Sequence, residues 1–202
     1  MSSLLSISER TVPRQSRASR RLESILDTAE KVFAASGYEA ATMTAIAEQS
    51  ATSIGGLYRY FPDKESVARA LIQRYVQEVD SFWASFIPEA RHLSIEGLAE
   101  RLVVRMEEFT RERPGYVPLL AAPVKFVRDA ASRRNLRVQL SKAFRAKKLS
   151  LAPERALLTA SVVLQILKAM VAMYAEGTEK DHARINAEFR RVLECYLSSV
   201  LG

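Results

Sequence analysis

Leu22, Ile25, Leu26, Ala29, Val32 and Phe33 recur at intervals of three and four residues, and the same spacing returns along most of the chain. Side chains at that spacing share one face of an α-helix, so each such stretch is an amphipathic helix that must bury one side. The period runs through Val67, Leu71, Tyr75, Val79, Phe82, Trp83 and Phe86, then through Ile95, Leu98, Leu102, Met106 and Phe109, and through Leu136, Leu140 and Phe144. Gly37, Pro88 and Pro114-Gly115 close the first three of these stripes. Seven glycines and seven prolines in 202 residues are too few for a turn-rich all-β chain or a disordered one. The expected class is therefore all-α, in a chain long enough to bury a real core.

One stretch departs from long stripes. From Thr42 to Lys64 the chain reads TMTAIAEQSATSIGGLYRYFPDK. Thr42 is placed to cap a short helix carrying Met43, Ile46 and Ala47, and Ser53 to cap a second carrying Ile54, Leu57, Tyr58 and Phe61. Pro62 ends that second helix, and Asp63 is placed to cap a third. Two short helices about a tight polar turn form the helix-turn-helix pattern, whose second helix enters the DNA major groove. Ser53, Ile54 and Gly55 are then placed for base edges, while Tyr58, Tyr60 and Lys64 reach phosphate oxygens. Gly55 and Gly56 each cost a helix roughly 1 kcal/mol relative to alanine, which close approach to DNA would explain.

The run LYRYFPDKE from Leu57, with Ile46-Ala47 eleven residues ahead and Thr42 four before Ile46, resembles the signature of the TetR family of tetracycline-repressor-like regulators. The resemblance implies phosphate contacts at Thr42, Thr44, Tyr58 and Lys64, and groove contacts at Ser53, Ile54, Gly55, Gly56 and Arg59. It also implies a ligand-responsive regulator, most often a repressor, released from a palindromic operator by a small molecule. Two positions depart from the family pattern: Ala51-Thr52 stand where Gly-Val is usual, and Gly56 where Thr is frequent. A left-handed residue in the turn would cost Ala51 on the order of 1 kcal/mol.

This gives three expected segments: a basic flexible arm over 1–16, a DNA-binding head over 17–64, and a ligand-binding and dimerisation domain over 65–202. Arg10, Arg14, Arg17, Arg20 and Arg21 make the arm region basic, fitting either a DNA-following arm or a solvated tail. The stripe from Val67 to Phe86 is a lever from the head into the next domain. Three aromatics crowd its far end, so the expected ligand pocket comprises Phe82, Trp83, Phe86, Met106, Phe109, Phe126 and Met170, against the alternative that these simply pack a core. Its occupant is expected to be largely apolar or aromatic.

Between Glu154 and Glu176 apolar residues run nearly all the way round the helix, which is then buried on two sides, one of them against a second copy. With the last helix it forms the expected dimer interface, at Val163, Leu167, Phe189, Leu193 and Tyr196. From 125 to 148 nine Lys or Arg face Asp129 alone, a run that fits a solvated helical face, the mouth of a site for an anionic ligand or acyl thioester, or extra DNA contact.

The net charge of +7 favours an anionic partner without choosing one. Cys195 is the single cysteine and is expected to pack as a core thiol. No N-terminal apolar leader or uninterrupted membrane-length apolar run is present, so a cytoplasmic place and no membrane are expected. His92 and His182 lack partners at ligand spacing, and no G-x-S-x-G or phosphate loop occurs, so no enzyme, metal or cofactor is expected. The alternative function is a helical dimer that binds an anionic partner or membrane surface without reading DNA sequence.

Overall fold

The structure, a computed structural model, describes the backbone of residues 14–123 and 130–202, and the side chains of 17–123 and 134–202. The described residues form ten α-helices and one short 3₁₀ turn, with no strand among them. The helices are α1 (Arg14–Ala40), α2 (Met43–Gln49), α3 (Ile54–Tyr60), α4 (Lys64–Ala84), α5 (Phe86–Ala90), α6 (Ile95–Glu112), α7 (Tyr116–Ala121), α8 (Ala130–Lys147), α9 (Pro153–Glu176) and α10 (His182–Leu201). This is the all-α class read from the stripes. Residues 1–13 and Phe126, with the arm and pocket roles expected of them, lie outside the described residues. Since α1 already includes Arg14, the expected boundary between arm and head falls within a helix.

Boundaries follow the caps. The Thr42 hydroxyl accepts from the Ala45 N–H at 3.1 Å, Ser53 from Gly56 at 3.1 Å, and Ser94 from Gly97 at 3.0 Å. Each satisfies one N–H that a helix start leaves without an internal partner. Asp63 and Ser66 cap α4 reciprocally: Oδ1 accepts from the Ser66 N–H at 2.7 Å, and the Ser66 hydroxyl accepts from the Asp63 N–H at 3.3 Å. Gly37 breaks α1 at φ 74°, a conformation that costs glycine little.

Helix α4 spans about 32 Å at 1.5 Å per residue and packs on α1 at one end and α8 further along. It stops at Ala84, where the Arg105 guanidinium donates to the Phe82 carbonyl and, at 2.8 Å, to the Ser85 hydroxyl. The chain then turns into α5, which carries Pro88 at its third position, so the stripe is two helices rather than one rod. Helices α6, α8, α9 and α10 pack around the other end, and α7 bridges α1 and α9. The core is continuous from Ile25 and Phe33 in the head to Leu197 and Val200 in the last helix.

Two lysines of the basic run are structural. Lys148 donates to the Val200 and Gly202 carbonyls at 3.1 and 2.8 Å, and Lys147 donates to the Leu93 carbonyl, pinning the chain's end and the α5–α6 turn to α8.

Candidate nucleic-acid interface and effector cavity

Helices α2 and α3 are each only seven residues long, too short to persist alone, and their inner faces supply the missing stability. Ile46, Ala47, Leu57 and Phe61 are buried between them and α1. The turn between them closes when the Thr52 N–H donates to the Ala47 carbonyl at 2.9 Å and the Ala51 N–H to Glu48 at 3.1 Å. That path requires Ala51 at φ 48°, so the left-handed position expected at the family's glycine is real and here carries a methyl group. Arg21 of α1 donates to the Ala51 carbonyl at 3.0 Å and braces it.

The outer face of α3 presents Ser53, Ile54, Gly55, Tyr58, Arg59 and Tyr60 to solvent, beside exposed Thr42 and Thr44. Ile54 and Tyr58 are 44% and 50% exposed, large apolar surface that a monomeric core would cover. The helix has no acidic residue, so nothing on it repels a phosphate backbone. Gly55 has open space where a Cβ would stand, which leaves room for another backbone to approach. Gly56 differs: it is buried, and a Cβ would stand 2.9 Å from Ser53 Oγ and 3.2 Å from Thr52 Cγ2. Its glycine protects the Ser53 cap, a reason internal to the fold.

Lys64 has an internal role beside the phosphate contact expected of it. Its ammonium donates to the Tyr38 and Glu39 carbonyls at 2.7 and 2.9 Å and sits 4.6 Å from the centre of the Tyr38 ring. It ties the end of α1 to the start of α4. Nearby, Tyr38 is held above its ordinary pKa by burial and by Glu65, Glu39 and Asp63, and so stays neutral.

Behind the head, Arg74 of α4 lies 2.6 Å from Asp27, 2.8 Å from Glu30 and 3.6 Å from Glu23, all on α1, with Glu78 at 3.8 Å. Burial opposes its charge, but the Asp27 hydrogen bond and Glu30 outweigh that and hold its pKa above the usual value. The Tyr75 hydroxyl donates to Glu30 at 2.7 Å, and its pKa rises strongly through burial and that bond. Tyr116 meets the Tyr75 ring edge-on at 5.5 Å, and Phe109 meets Tyr116 at 5.1 Å. Gly115 admits this junction, since a Cβ there would stand 2.8 Å from the Tyr75 hydroxyl.

Tyr116 also lines a partly open cavity of about 60 Å³. The floor is Val79, Trp83, Met106, Leu136 and Leu167, and the rim holds Arg137, Gln165 and Lys168. Trp83 and Met106 of the expected pocket are there. Phe86, Phe109 and Met170 are not, because they are fully buried packing residues. Phe82 is half-buried under Arg105, whose guanidinium carbon stands 4.0 Å from its ring centre.

The expected dimer set also divides. Val163, Leu167 and Leu193 point into the chain's own core, at 0%, 1% and 0% exposure, so none of them offers a surface to a second copy. Phe189 and Tyr196 are half-exposed, and Phe189 lines a groove of about 410 Å³ with Val162, Ile166 and Val192. Leu157, Leu158, Met173 and Val192 stand out from the same pair of helices. Cys195 is exposed rather than packed in the core, one residue from Tyr196 on that surface.

Residues 25–71 match bacterial regulatory proteins of the tetR family, and residues 94–197 match the tetracyclin repressor-like C-terminal domain. The chain belongs to the TetR family. The first of these matches spans α2 and α3, the helix-turn-helix of the head. The HTH-type transcriptional repressor KstR of Mycolicibacterium smegmatis is 32% identical over 81 residues, 40% of this chain and 39% of that protein. KstR of Rhodococcus jostii is 38% identical over 61 residues, 30% of this chain and 29% of that protein. These alignments span less than two fifths of the curated relatives. A TetR-family regulator from Pectobacterium atrosepticum has the same fold at TM-score 0.69 and 22% identity, covering 94% of this chain and 98% of that one. FadR of Bacillus subtilis, crystallised with stearoyl-CoA, shares the fold at TM-score 0.60 and 16% identity, covering 88% and 98%.

Sequence reasoning reached the head and missed most of the cavity wall. Its lining comes from α4, α6, α7, α8 and α9, a convergence that no single-helix period reveals. The Arg74 cluster did leave a signal: Glu23, Asp27 and Glu30 fall at i, i+4 and i+7 of one helix face.

Proposed function

We propose that the chain is a homodimeric, ligand-responsive transcriptional repressor acting in the cytoplasm, which grips a pseudo-palindromic operator with two α3 helices and lets go when a small molecule enters the Trp83 cavity. The observation that carries this reading is the outer face of α3: exposed Ile54, Gly55, Tyr58, Arg59 and Tyr60 on a helix anchored by buried Leu57, with no acid among them. Ser53, Ile54 and Gly55 read base edges; Thr42, Thr44, Tyr58, Tyr60 and Lys64 fix the register on phosphates, and Arg59 serves the groove.

The second copy covers the α9–α10 face. Only 39% of the most apolar stretch of α9 is buried in one chain, although its mean hydropathy of 1.9 matches that of a membrane span. Such a face needs cover, and a two-fold partner supplies an identical one. The effector acts through Tyr116, which touches both the cavity and Tyr75, and Tyr75 holds Glu30 of α1. A ligand that moves Tyr116 tilts α1 and with it the head. By linkage, operator DNA must then weaken effector binding by the same factor.

Sedimentation of the chain alone and with a DNA duplex tests the assembly. The wild type sediments as a dimer and binds one duplex per dimer. Leu158→Glu combined with Val192→Glu gives a folded monomer that has lost operator affinity. A variant that stays dimeric and binds as before places the interface elsewhere.

A further inference from the structure

Ala51 sits at φ 48°, where its Cβ crowds the backbone, and a right-handed Ala51 would relieve that crowding. Two consecutive peptide groups oppose the change, because each is bonded at both ends. In the peptide joining Ser50 to Ala51, the N–H donates to the Glu48 carbonyl at 3.1 Å and the carbonyl accepts from the Thr52 hydroxyl at 3.3 Å. In the peptide joining Ala51 to Thr52, the N–H donates to the Ala47 carbonyl at 2.9 Å and the carbonyl accepts from Arg21 at 3.0 Å.

Two of these four bonds are main chain to main chain, which almost any sequence supplies. The other two come from side chains. Arg21 reaches the turn from α1, 30 residues away. Thr52 is buried, its hydroxyl on Ser50 and its methyl carbon 3.2 Å from where a Cβ on Gly56 would stand, so it lies between the turn and the start of α3. Whichever way Ala51 turns, α3 follows, since its cap Ser53 stands only two residues on. We propose that Arg21 and Thr52 are positioning residues for DNA reading, holding Ala51 left-handed so that Ser53, Ile54 and Gly55 meet base edges at one fixed angle. This rests on the DNA-reading role proposed above for α3. Both residues act on the fraction of heads whose α3 is already aimed, and apparent affinity scales with that fraction. Attraction to the phosphate backbone does not depend on the aim. Arg21 is exposed, so a phosphate contact is its competing role. Salt dependence separates the two, because a lost phosphate contact lowers the slope by about 0.9 and weakens every sequence alike.

The test uses the full chain, a duplex that the wild type has selected from a random pool, and a scrambled duplex of the same length. Arg21→Gln and Thr52→Val, each checked for folding by circular dichroism, are expected to weaken the selected duplex about fivefold to tenfold. Affinity for the scrambled duplex stays within about twofold, and the salt slope is unchanged. Ala51→Gly supplies the second arm, since glycine takes the left-handed turn unaided. On that background each substitution is expected to cost less than about twofold, which closes a double-mutant cycle on Ala51. A loss of full size on the glycine background overturns the proposal. So does an equal loss on both duplexes with a shallower salt slope, which makes Arg21 a phosphate contact. A folded variant that binds the selected duplex as the wild type does strikes its own residue from the brace, and two such variants overturn the whole. A wild type that selects no sequence defeats the DNA-reading role itself, and the positioning role falls with it.

Discussion

At Ala51 the chain holds φ 48° with a methyl group attached, in a region where Cβ crowds the following carbonyl. Ala51→Gly relieves that crowding and loosens the unfolded chain, for a net gain of roughly 0.5–1 kcal/mol in urea unfolding. Unchanged or lower stability would mean that Arg21 and the turn's hydrogen bonds already absorb the strain. Lys64 carries two bonds to main-chain carbonyls, so Lys64→Ala is expected to cost about 1–2 kcal/mol of stability as well as weakening DNA binding to every sequence. Ile54→Ala, on the exposed face of α3, should leave stability alone and change preference at one base position. The left-handed turn was legible from the family glycine that Ala51 replaces. The Lys64 bonds were not, because their acceptors lie 26 and 25 residues away in a different helix.

At the scale of elements, the α1–α4 seam is an ionic clamp at the base of the head. Arg74→Met leaves Glu30 half-buried beside Tyr75 without its guanidinium, at a cost of about 2 kcal/mol after allowing for the exposure of Asp27 and Glu23. Differential unfolding measures it. The tyrosines add a pH dependence. Tyr75 has its pKa raised by burial and the Glu30 bond, and Tyr174 is pushed up to about 12 by burial and Glu107. Unfolded tyrosine loses its proton near pH 10, so above that value the folded state binds more protons than the unfolded state. Stability is therefore full below about pH 10 and falls from there to about pH 12 and beyond. Tyr75→Phe and Tyr174→Phe should each flatten that fall in melting temperature, and a slope identical to wild type would show that neither shift is coupled to folding. Helix periods predicted α1, α6 and α8 well, since each buries one continuous stripe, and α4 as far as Ala84. They could not say which side of α9 faces inward, because a helix apolar nearly all round has no preferred face until its neighbours are placed. Val163 and Leu167 turned out to face the chain's own core for that reason.

At the scale of the whole molecule, one continuous core joins the helix-turn-helix head to the cavity and to the α9–α10 face proposed for a second copy. Tyr116 lines the cavity alongside Trp83 and meets the Tyr75 ring edge-on, and the Tyr75 hydroxyl donates to Glu30 of α1. The all-α class and the helix-turn-helix head were legible from local spacing and caps, and the regulator role from the resemblance to the TetR family. The cavity was not, since five helices have to converge before it exists. The central claim, a dimer that reads DNA sequence, is tested most directly by selecting bound duplexes from a random pool at low and near-physiological salt. The account predicts an enriched pseudo-palindrome with half-sites about 34–36 Å apart, or a multiple, retained at the higher salt. Binding that enriches no sequence and vanishes as salt rises would contradict it, leaving only the attraction of a basic protein for phosphate.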